Sequence, residues 1–140
     1  MKIDHIGLAT DAIADVVGFW RDTLGLDVGE IEEVSQQKVR VCMLPVGDAR
    51  IELLEATSKD SPVSKFLDKR GQGIHHIALG VADIRVALAD LKTKGARLID
   101  EEPREGAGGC LVAFIHPSST GGVLLELVQR PDVSGEGAHH

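Results

Sequence analysis

The sequence predicts an α+β fold made of two βαβββ modules that are related by a pseudo-two-fold axis. Three observations lead to this prediction. Alternating and helical hydrophobic spacings follow one another in the same order twice. Equivalent positions of the two copies lie about 70 residues apart, which is the signature of an internal duplication. Each copy also carries a histidine in its first strand and a glutamate in its last strand.

The first module, about residues 2–56, begins with a strand and a helix. Residues 2–9 alternate apolar and other side chains, which is typical of a half-buried strand. Asp11 is the predicted N-cap of the following helix, and Gly25 is its C-terminal cap. The apolar side chains of this helix recur at helical spacing and form one stripe, which consists of Ile13, Val16, Val17, Trp20 and Leu24.

Three strands complete the first module. They are predicted at residues 29–34, 39–45 and 50–55, with a turn at Gly47 and Asp48. A connecting loop and helix follow at about residues 57–73. The short apolar stripe of this connecting helix consists of Val63, Phe66 and Leu67.

The second module, about residues 74–130, repeats the same order. Strands are predicted at residues 74–81, 98–99, 111–116 and 123–129, and a helix lies between the first two. The caps of that helix are Asp83 and Gly95, and its stripe consists of Ile84, Ala87, Leu88 and Leu91. A module of about 70 residues would be marginally stable alone. We therefore expect one domain over residues 1–131 and a flexible tail over residues 132–140, which ends in His139 and His140.

Composition excludes several classes of protein. The net charge of −7 and the pI near 5.3 leave no basic surplus for a nucleic-acid partner. No apolar run approaches the roughly 18 residues of a membrane span, and the first residues lack the layout of a signal peptide, so we expect a cytoplasmic protein. Cys42 and Cys110 lie in apolar runs, where small buried hydrophobes are favoured over a disulfide.

Two glutamates interrupt strands that are otherwise mostly apolar. Glu52 lies within Ile51 to Leu53, and Glu126 lies within Leu125 to Leu127. Burial of a lone carboxylate costs several kcal/mol, so it requires protonation, a counter-charge or a metal. The alternative for each glutamate is an edge-strand side chain that faces water.

Two histidines recur at equivalent places in the first strands of the modules. For an isolated histidine, a surface position or a hydrogen-bonded core position is favoured, but His5 and His76 occupy matching positions of the repeat. With Glu52 and Glu126 they predict an N₂O₂ ligand set for a borderline divalent ion. Such a set leaves coordination positions open, which favours Lewis-acid chemistry on an oxygen-bearing substrate. Because neighbours alternate along a strand, His75 is expected on the opposite sheet face from His76.

Several segments resemble a known family over about residues 2–130. The chain is similar to the vicinal oxygen chelate superfamily (glyoxalase, bleomycin resistance and dioxygenase proteins) and, within it, to the methylmalonyl-CoA epimerases. The four predicted ligands match the superfamily as a whole, whereas the full set of segments matches the epimerases. These segments are residues 3–7, 44–47, 51–55, 60–67, 73–78, 100–104, 108–109, 114–117 and 121–127.

The resemblance implies an isomerase that interconverts (2R)- and (2S)-methylmalonyl-CoA by moving the proton on C2 through an enolate. For the fold, it implies mixed sheets curved around a central metal cleft. It also implies a divalent metal ion, with Co²⁺ favoured and Mn²⁺, Ni²⁺, Zn²⁺ and Fe²⁺ as alternatives, an acyl-CoA substrate and a homodimer. Glu126, on or beside the metal, is the expected acid/base residue. Some bacterial relatives have a second glutamate where this chain has Val41. A water on the metal, or Glu126 acting on both faces, remains for the second proton.

Four other functions compete with this one, and one of them, a purely structural dimerisation domain, explains none of the four polar positions. A lactoylglutathione lyase of the glyoxalase I type would use nearly the same ligands, although residues 60–67 and 101–104 favour the epimerase. A ring-cleaving dioxygenase needs two histidines and one carboxylate, which would leave the fourth ligand without a role. A metal-free binding module would have no need for two carboxylates inside strands.

Four basic residues are candidates for binding the phosphates of coenzyme A: Lys65, Lys69, Arg70 and Arg104. For each of them, solvated surface charge is the favoured interpretation.

Overall fold

The computed structural model describes residues 1–131, which form one eight-stranded mixed sheet and three α-helices. The predicted tail at residues 132–140 lies outside the described residues. Every helix in the described part of the chain is too short or too polar to cross a bilayer. The elements are β1 (Lys2–Thr10), α1 (Ile13–Gly18), β2 (Ile31–Val34), β3 (Val39–Val46), β4 (Ala49–Ala56), α2 (Pro62–Arg70), β5 (Gly73–Gly80), α3 (Ile84–Thr93), β6 (Arg104–Glu105), β7 (Leu111–Ile115) and β8 (Leu125–Gln129).

The strand order is β2-β3-β4-β1-β5-β8-β7-β6, so the order within one module is the order of the other reversed. β1 pairs with β4 in parallel, as β5 does with β8, and the two modules meet where β1 and β5 run antiparallel. This arrangement confirms the predicted fold class, with the strands of both modules joined in one curled sheet.

The helices of the modules pack on the outer face of the sheet. α1 covers a cluster around Cys42, Leu44 and Leu53, and α3 covers a cluster around Ile115 and Leu127. The predicted apolar stripe of α3 is confirmed. In the first module Ile13, Val16, Val17 and Trp20 pack as predicted, but Leu24 is 53% exposed because the helix ends in a π-helical turn at Phe19–Thr23.

The two helices begin differently. The prediction that Asp11 caps α1 is wrong, because Ala12 occupies the N-cap and offers no side-chain acceptor. The Ile13 N–H instead donates to Glu55 Oε1 at 2.8 Å. Asp83 caps α3 as predicted and accepts from the backbone N–H groups of Arg85 and Val86. Gly25 and Gly95 both have positive φ after their helices, as expected of C-terminal caps.

One predicted strand is wrong and one strand is missing from the prediction. Residues 98–99 form only an isolated bridge between Leu98 and Ile115. The edge strand of the second module is β6, a two-residue strand that pairs with Leu111 and Val112. A segment this short is defined by its pairing partner rather than by a hydrophobic pattern of its own.

The connecting helix α2 closes one end of the sheet's inner face. Ser61 caps it by accepting from the Val63 N–H, and Pro62 stands in its first turn. Val63, Phe66 and Leu67 pack against inward residues of the first module, as the predicted stripe requires. Cys42 and Cys110 are buried and free, as predicted.

Candidate active site

A cavity of about 240 Å³ opens on the concave face of the sheet. Strand alternation directs Val39, Val41 and Met43 of β3 into it, while Cys42 and Leu44 face α1. Much of the wall is apolar, and the histidines and the two glutamates of the lining lie on the four central strands β4, β1, β5 and β8. Polar and charged lining residues include His5, Lys38, Glu52, Asp60, His75, His76, Arg104, Glu126 and Arg130.

The four residues predicted as ligands come together in this cavity. Glu126 Oε1 lies 3.1 Å from His5 Nε2 and 2.9 Å from His76 Nε2. Glu52 Oε1 lies 3.3 Å from each of the same two nitrogens. The histidine Nε2 atoms are 3.1 Å apart. All four side chains are buried, with residue exposures of 3% to 6%.

The register of the central strands explains this convergence. Gly7 of β1 is aligned with both Glu52 of β4 and His76 of β5. In the other module, Ala78 of β5 is aligned with His5 of β1 and Glu126 of β8. Each small residue therefore has a histidine on one side and a glutamate on the other.

Gly7 permits the close approach of His76. A Cβ atom at position 7 would lie 2.2 Å from His76 Cε1 and less than 3 Å from both ring nitrogens. The His76 imidazole thus lies directly across the Gly7 backbone, and no larger residue fits there without displacing the ring.

The electrostatics of the site favour charged forms of all four groups. Burial lowers the pKa of both histidines, but their hydrogen bonds to carboxylates outweigh it and raise the pKa of His5 to about 11 and that of His76 to about 9. Burial raises the pKa of Glu52 and Glu126, and hydrogen bonds from the histidines outweigh it, so both carboxyls stay below their usual range. Metal binding at this site therefore has to displace protons from the histidines.

The donor chemistry of the cluster fits a divalent cation. Within the described residues, Glu52 and Glu126 have ion pairs only with His5 and His76. The candidate ligand atoms of His5, Glu52 and His76 all lie within 4.8 Å of one another. Two imidazoles and two carboxylates form the mixed nitrogen and oxygen set that borderline divalent ions bind.

His75 lines the same cavity, so the expectation that it faces the opposite side of the sheet is wrong. Its Nδ1 lies 2.9 Å from Nδ1 of His76. The reason is a shift in the β1/β5 register: Gly7 pairs with His76, but Leu8 pairs with Ile74, so His75 is an extra residue in β5. An extra residue interrupts the alternation on which the expectation depended.

Asp4 is a second residue that the sequence prediction did not include in the site. It is 3% exposed and accepts a hydrogen bond from His5 Nδ1 at 2.7 Å. Arg130 donates from Nε and Nη2 to its two oxygens, each at 2.7 Å, and Arg50 Nη1 donates at 3.3 Å. Burial raises the pKa of Asp4, but the hydrogen bonds from His5 and Arg130 hold it well below its usual range. The signal was its place beside His5, which matches that of His75 beside His76.

The basic residues at the cavity are mostly not those proposed from sequence. Arg104 lines it, whereas Lys65, Lys69 and Arg70 do not. Lys38 and Arg130 line it as well. Lys38 has a left-handed backbone with φ 57° and pairs with Asp60 across the rim. No spacing pattern in the sequence marks these two cations.

An eight-stranded sheet of two βαβββ modules, with histidines and glutamates gathered on its concave face, defines a class of protein. Residues 4–114 match the Glyoxalase/Bleomycin resistance protein/Dioxygenase superfamily, and the chain belongs to that superfamily.

Several relatives within this superfamily are methylmalonyl-CoA epimerases. The mitochondrial methylmalonyl-CoA epimerase of Bos taurus is 38% identical over 129 residues, which cover 91% of this chain and 74% of the relative. The ethylmalonyl-CoA/methylmalonyl-CoA epimerase of Cereibacter sphaeroides is 36% identical over 130 residues, which cover 91% and 97%. A variant of the Streptomyces coelicolor methylmalonyl-CoA epimerase, solved in complex with 2-nitronate-propionyl-CoA, superimposes with a TM-score of 0.90 at 42% identity and covers 95% of this chain and 96% of that structure.

Proposed function

We propose that this chain is an epimerase that interconverts (2R)- and (2S)-methylmalonyl-CoA by moving the proton on C2. The observation that carries the proposal is the buried cluster of His5, Glu52, His76 and Glu126 in a cavity of a chain whose relatives are methylmalonyl-CoA epimerases. The reaction needs a carboxylate beside C2 and a site that stabilises negative charge, and the cluster offers both.

The proposed metal ligands are His5, Glu52, His76 and Glu126, and the proposed ion is Co²⁺. When bound, the ion would supply Lewis-acid stabilisation of the negative charge that develops on the thioester oxygen. The two imidazoles and two carboxylates support this proposal because they are buried and face one another within hydrogen-bond distance. Such a set is also suited to Mn²⁺, Ni²⁺, Zn²⁺ or Fe²⁺.

Glu126 is the proposed acid/base that removes the C2 proton to its carboxylate oxygen. An epimerase must also return a proton to the opposite face of C2. The β3 position expected for a second glutamate is Val41, and its equivalent in β7 is Val112; both line the cavity. Glu52 is the equivalent of Glu126 in the other module and lies at a similar distance from both histidines. We therefore assign the second proton transfer to Glu52.

The cavity is large enough for only part of the proposed substrate. Sites that enclose a drug-sized ligand have volumes of about 300 to 1,000 Å³. This cavity of about 240 Å³ is suited to the methylmalonyl thioester, and the coenzyme A tail would lie outside it. Lys38 and Arg104 lie in the lining, where they would pair with phosphates of that tail.

We propose a single domain over residues 1–131, a homodimer and a cytoplasmic location. The duplicated strand order supports the domain, since each module contributes one half of the site. The two free thiols of Cys42 and Cys110 are consistent with a reducing compartment.

A direct comparison of substrates tests the function. Protein loaded with Co²⁺ is expected to convert (2S)-methylmalonyl-CoA to the equilibrium mixture of epimers, measured by a stereospecific coupled assay, and to leave the hemithioacetal of glutathione and methylglyoxal unchanged. Metal analysis of the purified protein should give about one divalent ion per chain. Turnover of the hemithioacetal without epimer conversion would reject the epimerase in favour of the glyoxalase I type lyase.

A further inference from the structure

The two site histidines share a local feature that the proposed function does not use. Along the β1/β5 pair, Ile3 is aligned with Leu79 and His5 with Ala78, so Asp4 is an extra residue in β1. His75 is the corresponding extra residue in β5. Each extra residue directly precedes a site histidine, and a bulge of this kind redirects a side chain that would otherwise point away.

In the first module, Asp4 determines which nitrogen of His5 faces the site. An ionised carboxylate can only accept hydrogen bonds, and Asp4 is held ionised by Arg130. His5 Nδ1 must therefore carry the proton that it donates to Asp4 at 2.7 Å. This leaves Nε2 directed at Glu52 and Glu126.

In the second module, a neutral group occupies the equivalent position. His76 Nδ1 lies 2.9 Å from His75 Nδ1, so one nitrogen donates and the other accepts. Phe66 of α2 packs edge-to-face on the His75 ring, with 5.0 Å between centroids, and holds it in place. When His75 accepts, His76 Nδ1 carries a proton and its Nε2 faces Glu126 at 2.9 Å.

We propose that Asp4 and His75 are positioning residues that hold His5 and His76 with Nε2 toward the proposed metal and Nδ1 protonated. This inference rests on the proposed metal site. A histidine that binds a metal through one nitrogen is oriented by the partner of the other, and loss of that partner costs about 10- to 100-fold in metal affinity. The anionic Asp4, itself held by Arg130, is the stronger partner of the two.

A pair of substitutions at one position isolates the hydrogen bond. His75→Phe keeps a ring against Phe66 and removes the acceptor, whereas His75→Asn keeps an acceptor oxygen close to the place of Nδ1. Asp4→Asn leaves one acceptor oxygen for the donors of His5 and Arg130. His116→Phe makes the same replacement at a histidine outside the cavity lining and serves as the matched control.

The measurements are Co²⁺ affinity by calorimetry and the ¹⁵N spectrum of histidine-labelled, Zn²⁺-loaded protein. We expect His75→Phe and Asp4→Asn to weaken Co²⁺ binding about 10- to 100-fold, and His75→Asn and His116→Phe to bind close to wild type. In wild type, both site histidines should show a protonated Nδ1 and a metal-bound Nε2.

Two contrary results have different meanings. Wild-type affinity in both His75→Phe and Asp4→Asn, or a metal bound through Nδ1, would overturn the positioning role and leave the metal site intact. Absence of Co²⁺ binding by wild type would reject the proposed metal site together with the positioning role. Because the two His75 variants are compared with each other, a folding defect in Asp4→Asn does not affect the test at His75. The ¹⁵N spectrum of the wild type then tests the role of Asp4, since it reports which nitrogen of His5 carries the proton.

Discussion

The two modules have equivalent strand orders and build one half of the site each, but they differ at two equivalent positions beside the site and at the N-cap of the helix that follows. Asp4 in the first module corresponds to His75, Gly7 to Ala78, and Ala12 to Asp83. The proposed ligands are alike in the two modules: His5 corresponds to His76, and Glu52 to Glu126. The histidines and glutamates that face the cavity centre are thus of the same type in both modules, whereas the residues next to them differ.

The Gly7 and Ala78 positions differ because the two imidazoles pack differently on the central strands. The His76 ring lies across Gly7, where a Cβ atom would fall 2.2 Å from the ring. Ala78, which is aligned with His5, already has a Cβ and is fully buried. The pseudo-two-fold symmetry is therefore broken at the place where the two strands cross the site.

The largest expected effect comes from making the modules alike at this position. Gly7→Ala should drive the His76 ring away from Glu126 and lower Co²⁺ affinity by at least about 100-fold, since it displaces a ligand rather than the partner of one. Calorimetry with Co²⁺ measures the loss. Gly80→Ala is the control, because its added Cβ would meet its nearest atoms at the ordinary distances of 3.8 to 3.9 Å. Equal affinities of the two variants would contradict the close approach.

The adjacent histidines of β5 give opposite pH dependences in the metal-free protein. The pKa of His76 is raised to about 9 and that of His5 to about 11. The protonated forms of these two histidines therefore stabilise the folded state fully below pH 6.5, and this stabilisation is lost as the pH rises through 9 and 11. Burial, together with the charge of His76, lowers the pKa of His75 to about 4. The folded state therefore has its full stability with respect to His75 above pH 6.5. It loses stability as the pH falls toward 4, because the unfolded chain binds a proton at His75 that the folded chain does not bind.

Urea unfolding of metal-free protein across pH measures this contrast. The free energy of unfolding should decline on both sides of about pH 6.5, and the acid decline attributable to His75 should be on the order of 3 kcal/mol. His75→Asn should remove most of the decline between about pH 6.5 and pH 4.5. It should keep the alkaline decline and the further acid decline below pH 4.5, which comes from the low pKa values of Asp4, Glu52 and Glu126. An unchanged acid slope in His75→Asn would show that other groups cause it.

The smallest effects concern the helix starts. Asp83→Ala should lower the free energy of unfolding by about 1 kcal/mol, because two backbone N–H groups of α3 lose their acceptor. Asp11→Ala should have no effect on α1, whose N-cap is Ala12. Urea denaturation of the two variants compares the modules directly. A destabilisation by Asp11→Ala as large as that by Asp83→Ala would mean that both helices are capped by aspartate.

The duplicated pattern was enough to predict the fold class and to select four residues that meet in the cavity. Polar residues at matching places in apolar strands are conspicuous in sequence because burial restricts them. The positions of Asp4 and His75 at the site were not predicted, because a rule of strict alternation cannot locate an extra residue in a strand. β6 and the left-handed Lys38 were also missed, because β6 is defined by its pairing with β7 and Lys38 by its local backbone geometry rather than by a hydrophobic pattern.

Glu126 and Glu52 are proposed to transfer the C2 proton on opposite faces at a metal-dependent site. Each epimer of methylmalonyl-CoA is incubated separately in deuterated buffer with Co²⁺-loaded protein, and loss of the C2 proton is followed by NMR. Wild type should exchange the proton of both epimers, and chelated protein should exchange neither. Glu126→Gln should lose exchange from one epimer by about 10²- to 10⁴-fold and retain it from the other, without net epimerisation. Exchange from both epimers at the wild-type rate in Glu126→Gln, or none in metal-loaded wild type, would contradict the claim.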